Sequence, residues 1–268
     1  MQLLLPICVC EKRKSLTLRQ IKTMKKGAVF LLFILTFQLF AQKEKNALTA
    51  ITFDYTHQFP FADLKESYSD NSSVGIHFLK KTQNNYLFGI DGAYIFGSKI
   101  KQEDLFDGIA TENGEVINKD GLFANVLTFQ RGFSTFINGG KAFLFEENNH
   151  SGIYLTTGLG YMQHKIRIQT QEDIIPHLDD DYKKGYDRLS GGLSMKLNAN
   201  YMYFSKRNNI KFFVGFEFIK GWTKNLRAYD FDQMKHTSDD FRNDIVFGIK
   251  SGIIIPIFRK NSEEFHYF

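Results

Sequence analysis

The 268-residue chain carries 34 Lys and Arg against 29 Asp and Glu, a formal charge of +5, with 28 Phe, 12 Tyr, four Pro and two Cys. Its first 41 residues hold seven of the cations and one acid, so residues 42–268 carry −1, and no basic face for nucleic acid survives. Cys8 and Cys10 lie in the same segment, which excludes disulfides, thiolate catalysis and cysteine metal sites from the rest.

In chain order, residues 1–23 are expected to be a start-codon extension and residues 24–41 a signal peptide. Met24 precedes a charged Lys25-Lys26, then an apolar run over Ala28–Phe40, then Ala41 at the cleavage point. That run has the length of a signal segment, whereas a spanning helix needs about 20 residues. An uncleaved N-terminal anchor is the alternative. Residues 42–268 then form one exported domain beginning at Gln42, with no cysteine for a lipid anchor.

Eight strands are expected there: Leu48–Gln58, Ser73–Thr82, Tyr86–Ser98, Gly132–Phe145, Gly152–Gln169, Arg188–Ser205, Ile210–Thr223 and Asp244–Arg259. The connections alternate long and short, and the short ones are rich in Asn, which tolerates the left-handed backbone of tight turns. Most strands alternate an apolar face with a polar or small one. In the seventh, Phe212, Val214, Phe216 and Phe218 oppose Lys211, Gly215 and Glu217, although Phe213 and Ile219 share that second face. Short turns on one side, long loops on the other and an even strand number predict an all-β, eight-stranded antiparallel up-and-down transmembrane β-barrel. A soluble barrel that binds an apolar ligand also alternates. The crowding of Gly, Ala, Ser and Asn on one face, and Tyr55, Tyr94, Tyr161, Tyr201, Tyr203 and Trp222 on the other, favour the membrane.

The inward face is predicted to carry Asp54, Asp91 and Glu217 with Lys196, Lys211 and Lys250, joined in some arrangements by His77. Buried charges must be paired, and an eight-stranded barrel has room for side chains but not for a channel. The expectation is therefore a structural charge network that plugs the lumen; a proton or ion path is the alternative. Asp179-Asp180-Asp181 lacks the spacing of a calcium loop and reads as solvated. Gly158-x-Gly160 falls inside a strand and gives packing room rather than a phosphate loop. Residues 102–121 read as an exposed loop with scope for a partner. His164, Ser190 and Asp187 lie near one end of adjacent strands, as a lipid-acting barrel enzyme would need. The expectation is instead that His164 satisfies a rim hydrogen bond, that the protein is not an enzyme, and that it uses no cofactor or metal.

Gln130-Arg131-Gly132-Phe133, Gln163-His164-Lys165-Ile166-Arg167, Lys183-Lys184-Gly185-Tyr186-Asp187-Arg188-Leu189 and the terminal Glu263-Glu264-Phe265-His266-Tyr267-Phe268 resemble small outer-membrane barrel proteins of the Bacteroidota, of OmpX/OmpW-like architecture. Among these the chain looks like the PorG-type barrels associated with type IX secretion. The resemblance implies a scaffold, assembly or secretion-associated role in a Gram-negative outer membrane. It implies as partners the outer-membrane lipid and periplasmic or outer-membrane secretion components. Phe268 is similar to the signal read by the barrel-assembly machinery, although the charged stretch Arg259–Glu264 separates it from the last strand.

Overall fold

The computed structural model describes residues 47–146, 149–170, 174–205, 211–237 and 240–257, and the backbone alone at Glu103. The expected signal segment with its cleavage after Ala41, the turn Lys206–Asn209 and the terminal Glu263–Phe268 string lie outside the described residues. The chain divides into units 1–45 and 46–268, and the strands lie in the second.

Eight long strands form the wall: β1 (Leu48–Ala62), β2 (Asn71–Lys81), β3 (Tyr86–Gly97), β4 (Leu127–Leu144), β5 (Gly152–Gln169), β6 (Ser190–Phe204), β7 (Lys211–Asn225) and β8 (Arg242–Pro256). Each pairs antiparallel with its sequence neighbour, and β1 closes on β8 from Ala50↔Pro256 to Ala62↔Asp244. Closure leaves no open edge, the condition a sheet must meet to cross a membrane.

The turn before β3 shows the backbone chemistry its residues allow. Asn85 adopts φ 61°, the left-handed conformation that Asn accepts, and its N–H donates to the Thr82 carbonyl. At the opposite end β1 runs four residues past the expected stop at Gln58. Pairing with β2 ends at Gln58↔Asn71, so beyond it β1 bonds only to β8. Pro60, which has no N–H to give, is tolerated on that free flank. β4 likewise starts five residues early, because Leu127–Arg131 pair with Lys165–Gln169.

The long connections fold back over the barrel mouth. A five-residue helix α1 (Asp63–Ser67) follows β1, and two-stranded ribbons pair Val116–Ile117 with Phe123–Ala124 and Tyr229–Asp230 with Lys235–His236. The loop over 102–121, expected to be exposed, is exposed in part. Leu105 and Val116 are buried with Leu64, Tyr68, Ile175, Leu178 and Tyr186 on the inward residues Phe136, Met162, Ile219 and Val246. A second apolar cluster closes the short-turn end, built from Leu48, Ala50, Leu79, Leu87, Tyr154, Met202, Phe204, Phe213 and Ile254. The lumen thus has apolar layers at both ends and a charged layer between them.

Faces follow the alternation. Every strand turns a large apolar residue outward: Phe53, Ile76, Phe88, Ile137, Leu159, Leu193, Phe216 and Ile253. Ile137 is 72 % and Leu193 74 % exposed. A band of this kind around a whole wall is far beyond the scattered apolar surface of a soluble protein, and it matches the belt of a lipid-embedded barrel. The soluble barrel with an apolar cavity requires the opposite orientation of faces.

Candidate functional site: the charged layer inside the barrel

Five of the six expected residues meet at mid-barrel. Asp54 on β1, Asp91 on β3, Lys196 on β6, Glu217 on β7 and Lys250 on β8 are all buried. Lys250 Nζ donates to Glu217 Oε2 at 2.9 Å and lies 3.6 Å from Asp54 Oδ2. Lys196 Nζ pairs closely with Asp91 Oδ1 across the lumen, and stands 3.8 Å from Glu217 Oε2. The Phe136 ring lies 4.3 Å from the Lys196 ammonium and covers its remaining side.

Lys211 does not join them. It is the first residue of β7, partly exposed beside Phe204 at the short-turn end. It stands six positions before Glu217, roughly 20 Å along an extended strand. Its face is the inward one, as the alternation requires, but period two fixes the face and says nothing of height. The place assigned to Lys211 is taken by His77, whose Nε2 lies 2.6 Å from Asp54 Oδ1 and whose Nδ1 lies 3.6 Å from Asp91 Oδ2. Three carboxylates face two ammonium groups, and the His77 imidazole lies between two of those carboxylates.

Neutral side chains complete the layer. Gln58 Nε2 donates to Glu217 Oε1 at 3.3 Å, Thr56 Oγ1 donates to Asp54 Oδ2 at 3.2 Å, and Asn138 Nδ2 donates to Asp91. Glycine gives them room. A Cβ at Gly75 would sit 2.8 Å from Asp54 Oδ1, and one at Gly158 would overlap the Asn138 amide, the packing role expected of that glycine. Below the charges is a cavity of about 40 Å³ whose polar lining is Thr52, His77, Thr156, Asn138, Asn198 and Asn200, with Tyr154, Met202 and Phe213 among its apolar walls. The Oδ1 atoms of these three asparagines have no hydrogen-bond partner in the protein. The space suits about two or three waters bound by those atoms.

A second polar cluster lies at the mouth, and sequence reasoning found only one member of it. His164 Nε2 is 2.8 Å from Asp244 Oδ2, and Thr223 Oγ1 donates to the same carboxylate. His164 Nδ1 is 3.4 Å from the Tyr68 hydroxyl, which burial pushes well above the usual range for a phenol. Asp187, the expected neighbour of His164, is instead held by Arg227 in a two-pronged pair at 2.9 and 2.6 Å, and that pair raises the guanidinium further. Ser190 lies opposite His164 in the ladder, yet its hydroxyl donates to the Arg188 carbonyl. Asp179 and Asp180 are exposed, and Lys183 and Lys184 bridge to Asp180 and Asp181 at 3.3 and 2.6 Å.

The fold and its outward apolar band define a small membrane-spanning β-barrel. Solved structures with this architecture include Neisserial surface protein A (NspA), 10 % identical with a TM-score of 0.42, covering 77 % of this chain and 96 % of that one. Ail, the attachment invasion locus protein of Yersinia pestis, is 9 % identical with a TM-score of 0.36, covering 78 % and 99 %. Its complex with the heparin analogue sucrose octasulfate gives 9 % and 0.35 over the same coverage. No protein-family profile and no curated protein matches the sequence.

Proposed function

We propose that this protein is a non-enzymatic barrel of a Gram-negative outer membrane that acts through its wall and loops as a scaffold, assembly or secretion-associated component, not as a pore. The lumen carries this reading: two apolar layers and a paired charged layer fill it, leaving space for a few waters. The mouth cluster supports the non-enzymatic part, since both nitrogens of His164 are engaged and the Ser190 hydroxyl is turned to a backbone carbonyl. A hydrolytic pair needs the nucleophile on the base. Export by the signal segment and insertion by the barrel-assembly machinery belong to the same reading. So do periplasmic components of a type IX kind as partners, which the resemblance to PorG-type barrels supports.

Planar-bilayer recording of the purified protein tests it. Only the lipid's background current is expected, and steady single-channel currents would overturn the plugged-scaffold reading. A pull-down from detergent-solubilised membrane is expected to retain periplasmic secretion components. Recovery of the barrel with no such component removes the secretion role.

A further inference from the structure

The outer face of one hairpin carries charges that the plugged-barrel reading does not use. β4 and β5 form the longest ladder, paired from Leu127↔Gln169 to Leu144↔Gly152. Near its long-loop end Arg131 lies directly opposite Lys165, and Arg167 opposite Phe129. The alternation turns all three cations outward, with Lys165 and Arg167 exposed. No carboxylate occurs anywhere in β4 or β5, and no ion pair holds these three cations among the described residues.

Like charges placed opposite each other across a ladder destabilise it. This pair persists within a hairpin that is otherwise regularly bonded, so an anion from outside the chain is the natural partner. The Arg131 guanidinium is already positioned. It donates to the Gln130 and Gly97 carbonyls at 2.7 and 3.3 Å and lies 5.0 Å over the Phe129 ring. Two residues below it on the same face, Phe133 packs on Tyr161 at 6.0 Å between ring centroids. Aromatic pairs of this kind mark the level where hydrocarbon gives way to headgroups. One strand step of two residues is about 7 Å, which sets the cations at headgroup height in the leaflet on the long-loop side.

We propose that Arg131, Lys165 and Arg167 form a docking surface for the phosphorylated headgroup of a net-anionic membrane lipid in that leaflet. The aromatic pair below lies against its acyl chains. Arginine suits the fork of two phosphate oxygens, lysine adds a mobile third cation, and cationic side chains at a membrane surface favour anionic lipid.

The test is native mass spectrometry of the detergent-solubilised protein with added phosphatidic acid, phosphatidylcholine or inorganic phosphate. Wild type is expected to retain phosphatidic acid, while K165Q/R167Q retains it about tenfold less. K119Q, a loop change, should behave as wild type. Heat-modifiability on gels identifies folded barrel for each variant, and R167Q alone should give an intermediate loss. Equal retention by wild type and the folded double variant overturns the proposal. So does equal retention of phosphatidylcholine and phosphatidic acid, or binding of inorganic phosphate as tight as that of the lipid, which would make this a free-anion site.

Discussion

At the scale of single residues, the charged layer works through neighbours more than through any one ion pair. Glu217 accepts from Lys250 and Gln58 and faces Lys196 as well. Removing one partner of a buried pair leaves the other charge uncompensated and costs about 3–5 kcal/mol, whereas removing both is far milder. Glu217→Gln is therefore expected to lower the urea midpoint in lipid vesicles, and adding Lys250→Met to recover part of the loss. Additive losses in the double variant would mean the two side chains do not interact. The same residues show how much of the site was legible in the sequence. Asp54, Asp91, Lys196, Glu217 and Lys250 follow from counting alternate positions along apolar strands. Lys211 sorts to the right face but the wrong height, and His77, expected there only in some arrangements, stands in its place, because height in a barrel depends on the stagger between strands, which no single strand displays. Asp244 gives no signal in the sequence, because its partner His164 lies on β5 and the two meet only across the mouth.

At the scale of elements, the strands were legible because lipid and a narrow lumen impose a period of two. Seven of the eight expected strands need their ends moved, and the reasons are local. Pro60 reads as a stop, but it lies where β1 has lost one neighbour. Gly132 reads as a start, but five residues before it already pair with β5. Loop structure was the least legible. Leu105 and Val116 sit in an Asp-, Glu- and Gly-rich stretch, and only the apolar mouth beneath them explains their burial. The faces yield a direct test. Phe216 is 55 % exposed at mid-wall, stacked on Phe247, whereas Asn113 is exposed in a long loop. Phe216→Arg is expected to destabilise the barrel by about 2–4 kcal/mol in vesicle unfolding and Asn113→Arg to change it little. Equal midpoints would invert inside and outside.

At the scale of the whole molecule, the two arcs that meet when β1 joins β8 carry unlike charge. The arc from β1 to β3 holds Asp54, Asp91 and His77, and the arc from β6 to β8 holds Lys196, Lys250 and Glu217. The contacts Lys196 to Asp91, Lys250 to Asp54 and Gln58 to Glu217 all run from one arc to the other. A half-folded, open sheet cannot make them. Its carboxylates and ammoniums must stay hydrated until the ends of the chain approach, and the attraction between the arcs then draws the sheet shut. Closure and neutralisation become a single event, so the barrel has an internal signal of completion that a partly zipped sheet lacks. Salt shortens the reach of that attraction, to about 10 Å at 0.1 M and 3 Å at 1 M. Refolding into vesicles should accordingly slow as salt rises, and the slowing should shrink in Glu217→Gln/Lys250→Met. A wild-type rate indifferent to salt would mean that the arcs find each other by hydrogen bonding alone.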